Sequence, residues 1–430
     1  MDYPRIRVSP PGPKARRIIA LDCSWSSPSY IKEYPLVIAG GSGAMVEDVD
    51  GNRYIDWMAG VAVSTTGYNH PRIVAAIQEA AGKFLHICGT DFYYEGMARL
   101  CRRLAQIAPG PGKKRVFLSN SGAEAVEGAL KLARHHTRRS QIIAFDGAFH
   151  GRTYGALSLT ASKPKYRQGF APFLPEVIHL PFDSPYRGID GIAAAEVIFQ
   201  NRLSPQDVAA VVLEPIQGEG GYIYPRPEFL RYWRRFCDKS GALLIFDEIQ
   251  CGLGRRGHLW AADYFKIYPD VLLTAKGLGS GMPIGAIVAR ENVMTWPRGS
   301  HGSTFGGNPV CCAAALATLD LVEGELTRRA ARQGEKLIAG LRRLQKKHPS
   351  IGEVRGTGLM IGVELVLDRA SRRPNHDLLE ALERLAFKRG LLLLGCGKSV
   401  VRVAPPLVLT DYDIEAGLSI FDRCLSTLGA

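Results

Sequence analysis

The chain has 430 residues, 46% hydrophobic and 22% charged, which is enough for one large domain with its own core and a smaller second one. No apolar run reaches the ~18 residues of a membrane span, and the start, with Pro4, Pro10, Pro11 and Pro13 among basic residues, lacks the apolar core of a secretory leader, so the expected location is the cytoplasm. The net charge of +13 lies in short clusters such as Arg102-Arg103, Lys113-Lys114-Arg115 and Arg328-Arg329, a solvated surface that favours anionic substrates and a phosphate-bearing cofactor over nucleic acid.

Gly43 to Trp57 reads as a hairpin, with Ala44-Met45-Val46-Glu47-Asp48-Val49 and Arg53-Tyr54-Ile55-Asp56-Trp57 flanking an Asp50-Gly51-Asn52 turn. From about Val61, short apolar runs alternate with amphipathic stretches: Val116-Phe117-Leu118, Ile142-Ile143-Ala144-Phe145, Val211-Val212-Leu213, Leu243-Leu244-Ile245-Phe246, Val271-Leu272-Leu273 and Ile284-Gly285-Ala286-Ile287-Val288. That pattern predicts βαβ units and a mainly parallel sheet covered on both faces. A helical region follows Asn308 through Leu344, broken near Glu323-Gly324. Strands are expected within Val354 to Leu365, Leu391 to Leu394 and Val400 to Val403, and helices over Asp377 to Lys388 and Asp411 to Leu425. The resulting partition is an N-terminal segment (1–60), a large α/β domain (61–325) and a small C-terminal α+β domain (326–430). The nine cysteines are scattered without a CxxC pair, and Cys311-Cys312 reads as two small hydrophobes in an Ala-rich helix, so neither disulfides nor a metal site is expected.

Ligands of α/β sheets sit at the carboxyl ends of strands. Val116-Phe117-Leu118 is followed by Ser119-Asn120-Ser121-Gly122-Ala123-Glu124-Ala125, a turn and helix start whose free amides suit a phosphate, although a plain Ser-capped helix has the same sequence. Asp247, Glu248 and Gln250 follow one run, and Thr274 and Lys276-Gly277 follow the next; an acid and a lysine at the ends of successive strands either converge on a ligand or form a salt bridge. A lysine that forms an imine must be neutral when it attacks, and a pyridine nitrogen stays protonated beside a carboxylate. Lys276 and Asp247 match those requirements.

The stretches Ser119 to Ala125, Phe149-His150-Gly151-Arg152-Thr153, Leu213-Glu214-Pro215-Ile216-Gln217-Gly218-Glu219-Gly220-Gly221, Phe246-Asp247-Glu248-Ile249-Gln250, Ala275-Lys276-Gly277 and His301-Gly302-Ser303-Thr304-Phe305-Gly306-Gly307-Asn308-Pro309 resemble, in order and spacing, the class III (omega) aminotransferases, from about Pro35 to the C-terminus. The resemblance implies the fold type I architecture: a large domain on a mainly parallel seven-stranded sheet, and a smaller α+β domain built from the C-terminus with N-terminal contributions. It implies that Lys276 carries pyridoxal 5'-phosphate (PLP) as a Schiff base and later acts as the base, and that Asp247 pairs with the ring nitrogen. Phe149 and Ile249 would pack on the two ring faces, Gln250 would reach the ring hydroxyl, and Ser121, Gly122 and Ala123 would hold the phosphate. Thr304 would join them from a neighbouring subunit, which implies a homodimer or a tetramer built from such dimers.

For substrate, Val400-Val401-Arg402-Val403-Ala404-Pro405-Pro406-Leu407 resembles the family segment whose arginine binds a carboxylate, here Arg402. In the 4-aminobutyrate and ornithine types, a glutamate matching Glu219 pairs with that arginine or swings away for 2-oxoglutarate, and Arg152 would take the other carboxylate. Val61 stands where ornithine enzymes place a tyrosine, which disfavours ornithine and leaves 4-aminobutyrate with 2-oxoglutarate as the leading pair. Acetylornithine or ornithine transamination, and racemisation of an amino acid on the same fold, are the alternatives. Gly395-Cys396-Gly397-Lys398-Ser399 ends like a nucleotide-binding loop, but Leu392 occupies its first glycine position and a strand follows, so it is read as a turn leading to Arg402.

Overall fold

The first helix is capped by a side chain some thirty-five residues further on. In the computed structural model, which describes residues 3–430, Pro13 opens the helix Pro13–Trp25 at the position where a missing N–H costs nothing. The next two amides, of Lys14 and Ala15, donate to Asp50 Oδ1 and Oδ2, each at 2.9 Å. Asp50 belongs to the hairpin turn read from sequence; Asp48 holds that turn, accepting from Asp50 N at 3.0 Å and Asn52 N at 2.8 Å, and leaves the Asp50 carboxylate to the helix. Asp50→Ala is therefore expected to lower stability by about 1 kcal/mol in urea unfolding, with the slope against urea unchanged. No change in midpoint would mean that Pro13 sets the helix start unaided.

The hairpin itself is β2 (Met45–Asp48) against β3 (Arg53–Asp56), with Val46 opposite Tyr54. β1 (Ile38–Ser42) pairs with β2 and was not legible, because Ile-Ala-Gly-Gly-Ser has no alternation and carries a bulge between Ile38 and Gly40.

The large sheet contains β4 (Lys114–Ser119), β5 (Gln141–Phe145), β6 (Val177–Leu180), β7 (Val208–Leu213), β8 (Leu243–Asp247), β9 (Val271–Thr274) and β10 (Gly285–Arg290), in the order β4-β10-β9-β8-β7-β5-β6. β9 through β6 run parallel, and β10 is antiparallel to both of its neighbours. This is the mainly parallel seven-stranded sheet that the family resemblance implies. β6 was missed because it is a half-buried edge strand whose short apolar run is interrupted by His179. β7, β8 and β9 are buried along their whole length, as a sheet covered on both faces requires. The helix Gly122–Thr137 lays Ala125, Val126, Ala129 and Leu132 on Ile142, Val212, Ile245 and Leu273; its alanines let helix and sheet approach closely, and each fully buried Leu or Ile contributes about 2 kcal/mol. The predicted interruption near Glu323-Gly324 is a π turn, Val322–Leu326, between the helices Pro309–Leu321 and Thr327–Lys347, with Thr327 Oγ1 donating to Val322 O at 2.7 Å.

The C-terminal part holds β11 (Ile351–Thr357), β12 (Met360–Leu365), β13 (Leu391–Leu392), β14 (Leu394–Cys396) and β15 (Val400–Val403). β11-β12-β15-β14 form an antiparallel sheet, while β13 joins β3 in the hairpin's sheet. Gly395 and Cys396 end β14, and Gly397 to Ser399 are the tight connection to β15, with Gly397 at φ 57°. Two capped helices, His376–Lys388 and Asp411–Thr427, complete it. The chain divides into two compact units, Pro71–Arg328 and the residues up to His70 together with Arg329–Ala430. Tyr68 exchanges backbone hydrogen bonds with Gly43, which ties the residues beyond the expected boundary at 60 to the hairpin. Among the described residues no helix is long and apolar enough to cross a membrane.

Candidate active site

In the unit Pro71–Arg328, β4, β5, β7, β8 and β9 all end on one edge of the sheet, and each hands over to a polar segment there. β4 leads into the turn before Gly122–Thr137. Ser121 is the N-cap, its hydroxyl accepting from Glu124 N at 3.2 Å, so the hydroxyl proton stays available to an anion. The Glu124 carboxylate returns to Asn120 N at 2.8 Å and Asn120 Nδ2 at 2.9 Å, locking the turn. Asn120 Nδ2 also donates to Ser303 Oγ at 3.0 Å, which ties the His301 to Pro309 motif to this turn within the same chain; Thr304 beside it is exposed. A β-carbon at Gly122 would fall 2.7 Å from Ile249 Cδ1, so the glycine makes room for the Ile249 side chain against the helix start.

β8 ends in Asp247, 3% exposed, and its register places Asp247 beside Leu273 of β9, three residues before Lys276. Asp247 Oδ1 accepts from Ile249 N at 3.0 Å and Oδ2 pairs with His150 Nδ1 at 2.7 Å. His150 is fully buried; burial alone would lower its pKa, but the bond to Asp247 and the charges of Asp247 and Glu214 outweigh it and hold the pKa above the ordinary value. Because its partner is a carboxylate, Nδ1–H is the donor to Asp247. In the sequence His150 stands out only as part of a motif, since nothing local announces a partner 97 positions away. Glu214, also buried, accepts from Phe149 N at 2.9 Å and Gly218 N at 2.7 Å, and burial raises its pKa to about 7. Glu248 acts elsewhere, accepting from Ala261 N and Ala262 N to cap the helix Ala261–Phe265.

β9 ends at Thr274, and Lys276 follows in the left-handed region at φ 40°, half-buried. A lysine held there is strained, and such residues cluster at functional sites. Gln250 accepts from Tyr222 OH at 3.0 Å. Beside these lies a charged cluster around Tyr166. The Arg152 guanidinium sits over the Tyr166 ring at 4.5 Å and over Phe149 at 5.8 Å, and Phe149 meets Tyr166 edge-on. Glu219 Oε1 accepts from Tyr166 OH at 3.2 Å and pairs with Lys163 Nζ at 3.0 Å. Tyr166, Lys163 and Tyr222 were not singled out from the sequence, because they stand in loops without apolar periodicity.

Val61 and Arg402 belong to the other unit. Arg402, on β15, is 2% exposed and donates through Nη2 to Gly395 O at 3.1 Å. Val61 lies in a left-handed helical turn: Ala59, Gly60, Val61 and Ala62 have φ of 50°, 58°, 63° and 62°. A β-branched residue there is a backbone outlier, and left-handed turns cost about 1–2 kcal/mol per non-glycine residue. Asp56, 1% exposed, helps to compensate, accepting from Met58 N at 2.6 Å and from Tyr68 OH at 2.5 Å.

The residues on the sheet edge suit a phosphorylated pyridine ring. The free amides at the start of Gly122–Thr137 and the Ser121 proton suit the phosphate. A buried carboxylate, Asp247, suits a protonated ring nitrogen, and His150 Nε2 and Thr274 Oγ1 are buried polar atoms that no described residue satisfies. Fold and site together are those of a PLP-dependent transferase.

Residues 27–425 match the family model described as "Aminotransferase class-III". The 4-aminobutyrate aminotransferase of Mycobacterium leprae is 41% identical over 406 residues, covering 91% of each chain. An alanine/serine racemase of Pyrococcus horikoshii is 36% identical over 99% of this chain and 93% of its own. Among solved structures, the ornithine aminotransferase of Toxoplasma gondii superposes with a TM-score of 0.86 at 33% identity, covering 96% of this chain and 95% of that one. The chain belongs to the class III aminotransferase family. It is a PLP-dependent transaminase, acting between an amino acid and a 2-oxo acid.

Proposed function

We propose that the enzyme moves the amino group of an omega-amino acid, 4-aminobutyrate first, to 2-oxoglutarate, giving a semialdehyde and L-glutamate, as a cytoplasmic homodimer. The observation that carries this reading is the cluster at the sheet edge of Lys276, in which a cation, Arg152, and a carboxylate, Glu219, share Tyr166. A cation serves the distal carboxylate of a dicarboxylic acceptor, and an anion tolerates a donor with a distal amine. The 4-aminobutyrate aminotransferase at 41% identity supports the same donor.

When bound, PLP supplies the electron sink for the developing carbanion. Ser121, Gly122 and Ala123 would hold its phosphate with Thr304 of the partner subunit, Phe149 and Ile249 would flank the ring, Gln250 would meet the ring hydroxyl, and Asp247, oriented by His150, would keep the ring nitrogen protonated. Lys276 Nζ, once neutral, would take the proton from the amine-bearing carbon of the substrate. Arg152 and Arg402 would each bind one carboxylate, Glu219 would gate Arg402, and Val61 offers no hydroxyl to an α-amino group. The exposed Phe84, Leu85, Phe92, Tyr93 and Phe305 of the Pro71–Arg328 unit suit burial against a second copy.

A second reading, racemisation, is favoured by the Pyrococcus relative. Steady-state assays with 4-aminobutyrate, ornithine, N-acetylornithine, lysine and D- or L-alanine, each with and without 2-oxoglutarate, separate the two. We expect 4-aminobutyrate turnover that depends on 2-oxoglutarate. Epimerisation of alanine without any acceptor, and no 4-aminobutyrate turnover, would overturn the proposal.

A further inference from the structure

One anchor of the Arg402 guanidinium is the carbonyl of Gly395, which accepts from Nη2 at 3.1 Å. Gly395 lies in β14, the edge strand of its sheet, opposite Val401 of β15. An edge strand turns backbone groups away from any neighbouring strand, and glycine has the most backbone freedom to lose, so this anchor needs support from outside the sheet. The helix His376–Lys388 supplies it. Leu379 and Glu383 are four residues apart and so share one helix face, and both meet Gly395. A β-carbon at Gly395 would fall 2.7 Å from Leu379 Cδ2 and 3.1 Å from Glu383 Oε1, and Gly395 N donates to that same Glu383 oxygen. Glu383, Gly395 and Arg402 thus form one chain, carboxylate to amide and carbonyl to guanidinium. The groups around the half-buried Glu383 carboxyl are Glu33, Tyr34, Glu380 and Arg402. Burial first, then Glu33 and Glu380, push its pKa up to about 7 against the Gly395 bond and the charge of Arg402. Near neutral pH the acceptor oxygen is therefore a more constant property of this side chain than its charge.

We propose that Glu383 is a positioning residue for Arg402: by accepting from Gly395 it keeps the Gly395 carbonyl where the guanidinium is aligned for the carboxylate on the reacting carbon of an amino or oxo acid. The proposal rests on the reading that Arg402 binds that carboxylate. 4-Aminobutyrate and 2-oxoglutarate carry a distal carboxylate at the same separation from the reacting carbon, so both half-reactions share the distal subsite. Only 2-oxoglutarate and L-glutamate carry a second carboxylate on the reacting carbon itself. Glu383 therefore bears on their half-reaction and little on that of 4-aminobutyrate.

The test uses the PLP-loaded enzyme with the two half-reactions measured separately. Calorimetric binding of glutarate, which has both carboxylates, and of butyrate, which has only the distal one, gives a readout independent of turnover. Glu383→Met keeps the side-chain length and removes the acceptor. It is expected to raise the KM for 2-oxoglutarate and the Kd for glutarate by about fivefold to tenfold, with kcat nearly unchanged, the scale of one misaligned charge-assisted hydrogen bond. Butyrate affinity and the KM for 4-aminobutyrate should move by less than about threefold, and retained butyrate binding shows that the variant is folded. Glu383→Gln keeps an acceptor oxygen and should restore glutarate binding to within about twofold of the unaltered enzyme. Equal weakening of glutarate and butyrate, unchanged glutarate affinity in Glu383→Met, or no rescue by Glu383→Gln would each overturn the proposal. Arg402→Met separates it from the site reading beneath it: if glutarate then binds as tightly as to the unaltered enzyme, that reading fails, whereas weakening in Arg402→Met but not in Glu383→Met sinks the Glu383 proposal alone.

Discussion

Lys276→Ala should yield a folded protein that transfers no amino groups and, mixed with PLP, lacks the visible absorption of a lysine-bound cofactor. The side chain lies just beyond the end of β9 and is half-buried, so its removal leaves the sheet core of Val271, Leu273 and Ile245 intact. Alanine inherits the left-handed backbone at φ 40°, and the stability change should stay within about 1 kcal/mol. The rate, by contrast, loses both the covalent attachment and the base, and general-base work alone contributes about 10²–10⁴-fold. Lys276→Arg should not restore activity, since a guanidinium never becomes the neutral nucleophile. Turnover within tenfold of the unaltered enzyme, or an unchanged spectrum, would remove Lys276 from the chemistry.

Asp247→Asn should damage stability and activity together, with a pH dependence that identifies the cause. The wild-type carboxylate pairs with His150 at 2.7 Å, both groups buried, and breaking such a pair costs about 3–5 kcal/mol. Burial pulls the pKa of His150 down, and mainly Asp247, with help from Glu214, lifts it above the ordinary value. A folded pKa raised in this way contributes stability that is fully present below the unfolded value of about 6.5 and lost as pH rises through the folded value. With asparagine in place, the charge is gone and burial dominates. The gap in unfolding free energy between wild type and variant should therefore be widest below about pH 6.5 and shrink as pH rises through the folded pKa of His150. A gap that does not vary with pH would show that geometry, not charge, joins the two side chains. Transamination should fall by at least about 10², the usual loss when one preorganised charge is removed from a site.

The apolar runs of β5, β7, β8 and β9, the Asp50-Gly51-Asn52 hairpin turn, the helix capped by Ser121 and the approximate position of the break after Asn308 were all legible in the sequence. Each depends on local periodicity or on turn and capping chemistry within a few residues. The class of cofactor was legible too, because six motifs recur in order, and strand-end acid and lysine are chemically matched to a pyridine ring.

What the sequence did not reveal depends on strand order and on side chains far apart in the chain. The β5-β7-β8-β9 order carries His150, just after β5, to Asp247 at the end of β8, and a lone histidine gives no hint of that. β10 is antiparallel because it returns between β9 and β4, a choice invisible in Ile284 to Val288 itself. Val61 reads as an ordinary aliphatic residue until Asp56, buried in the same unit, is seen accepting hydrogen bonds around a left-handed turn that isolated propensities would reject. Lys163 and Glu219 are likewise just two charges 56 positions apart until the sheet edge brings them to 3.0 Å. Local patterns determined which elements form and which cofactor they suit; only tertiary packing, which sets the distance between charges, decided which groups share a proton or a carboxylate.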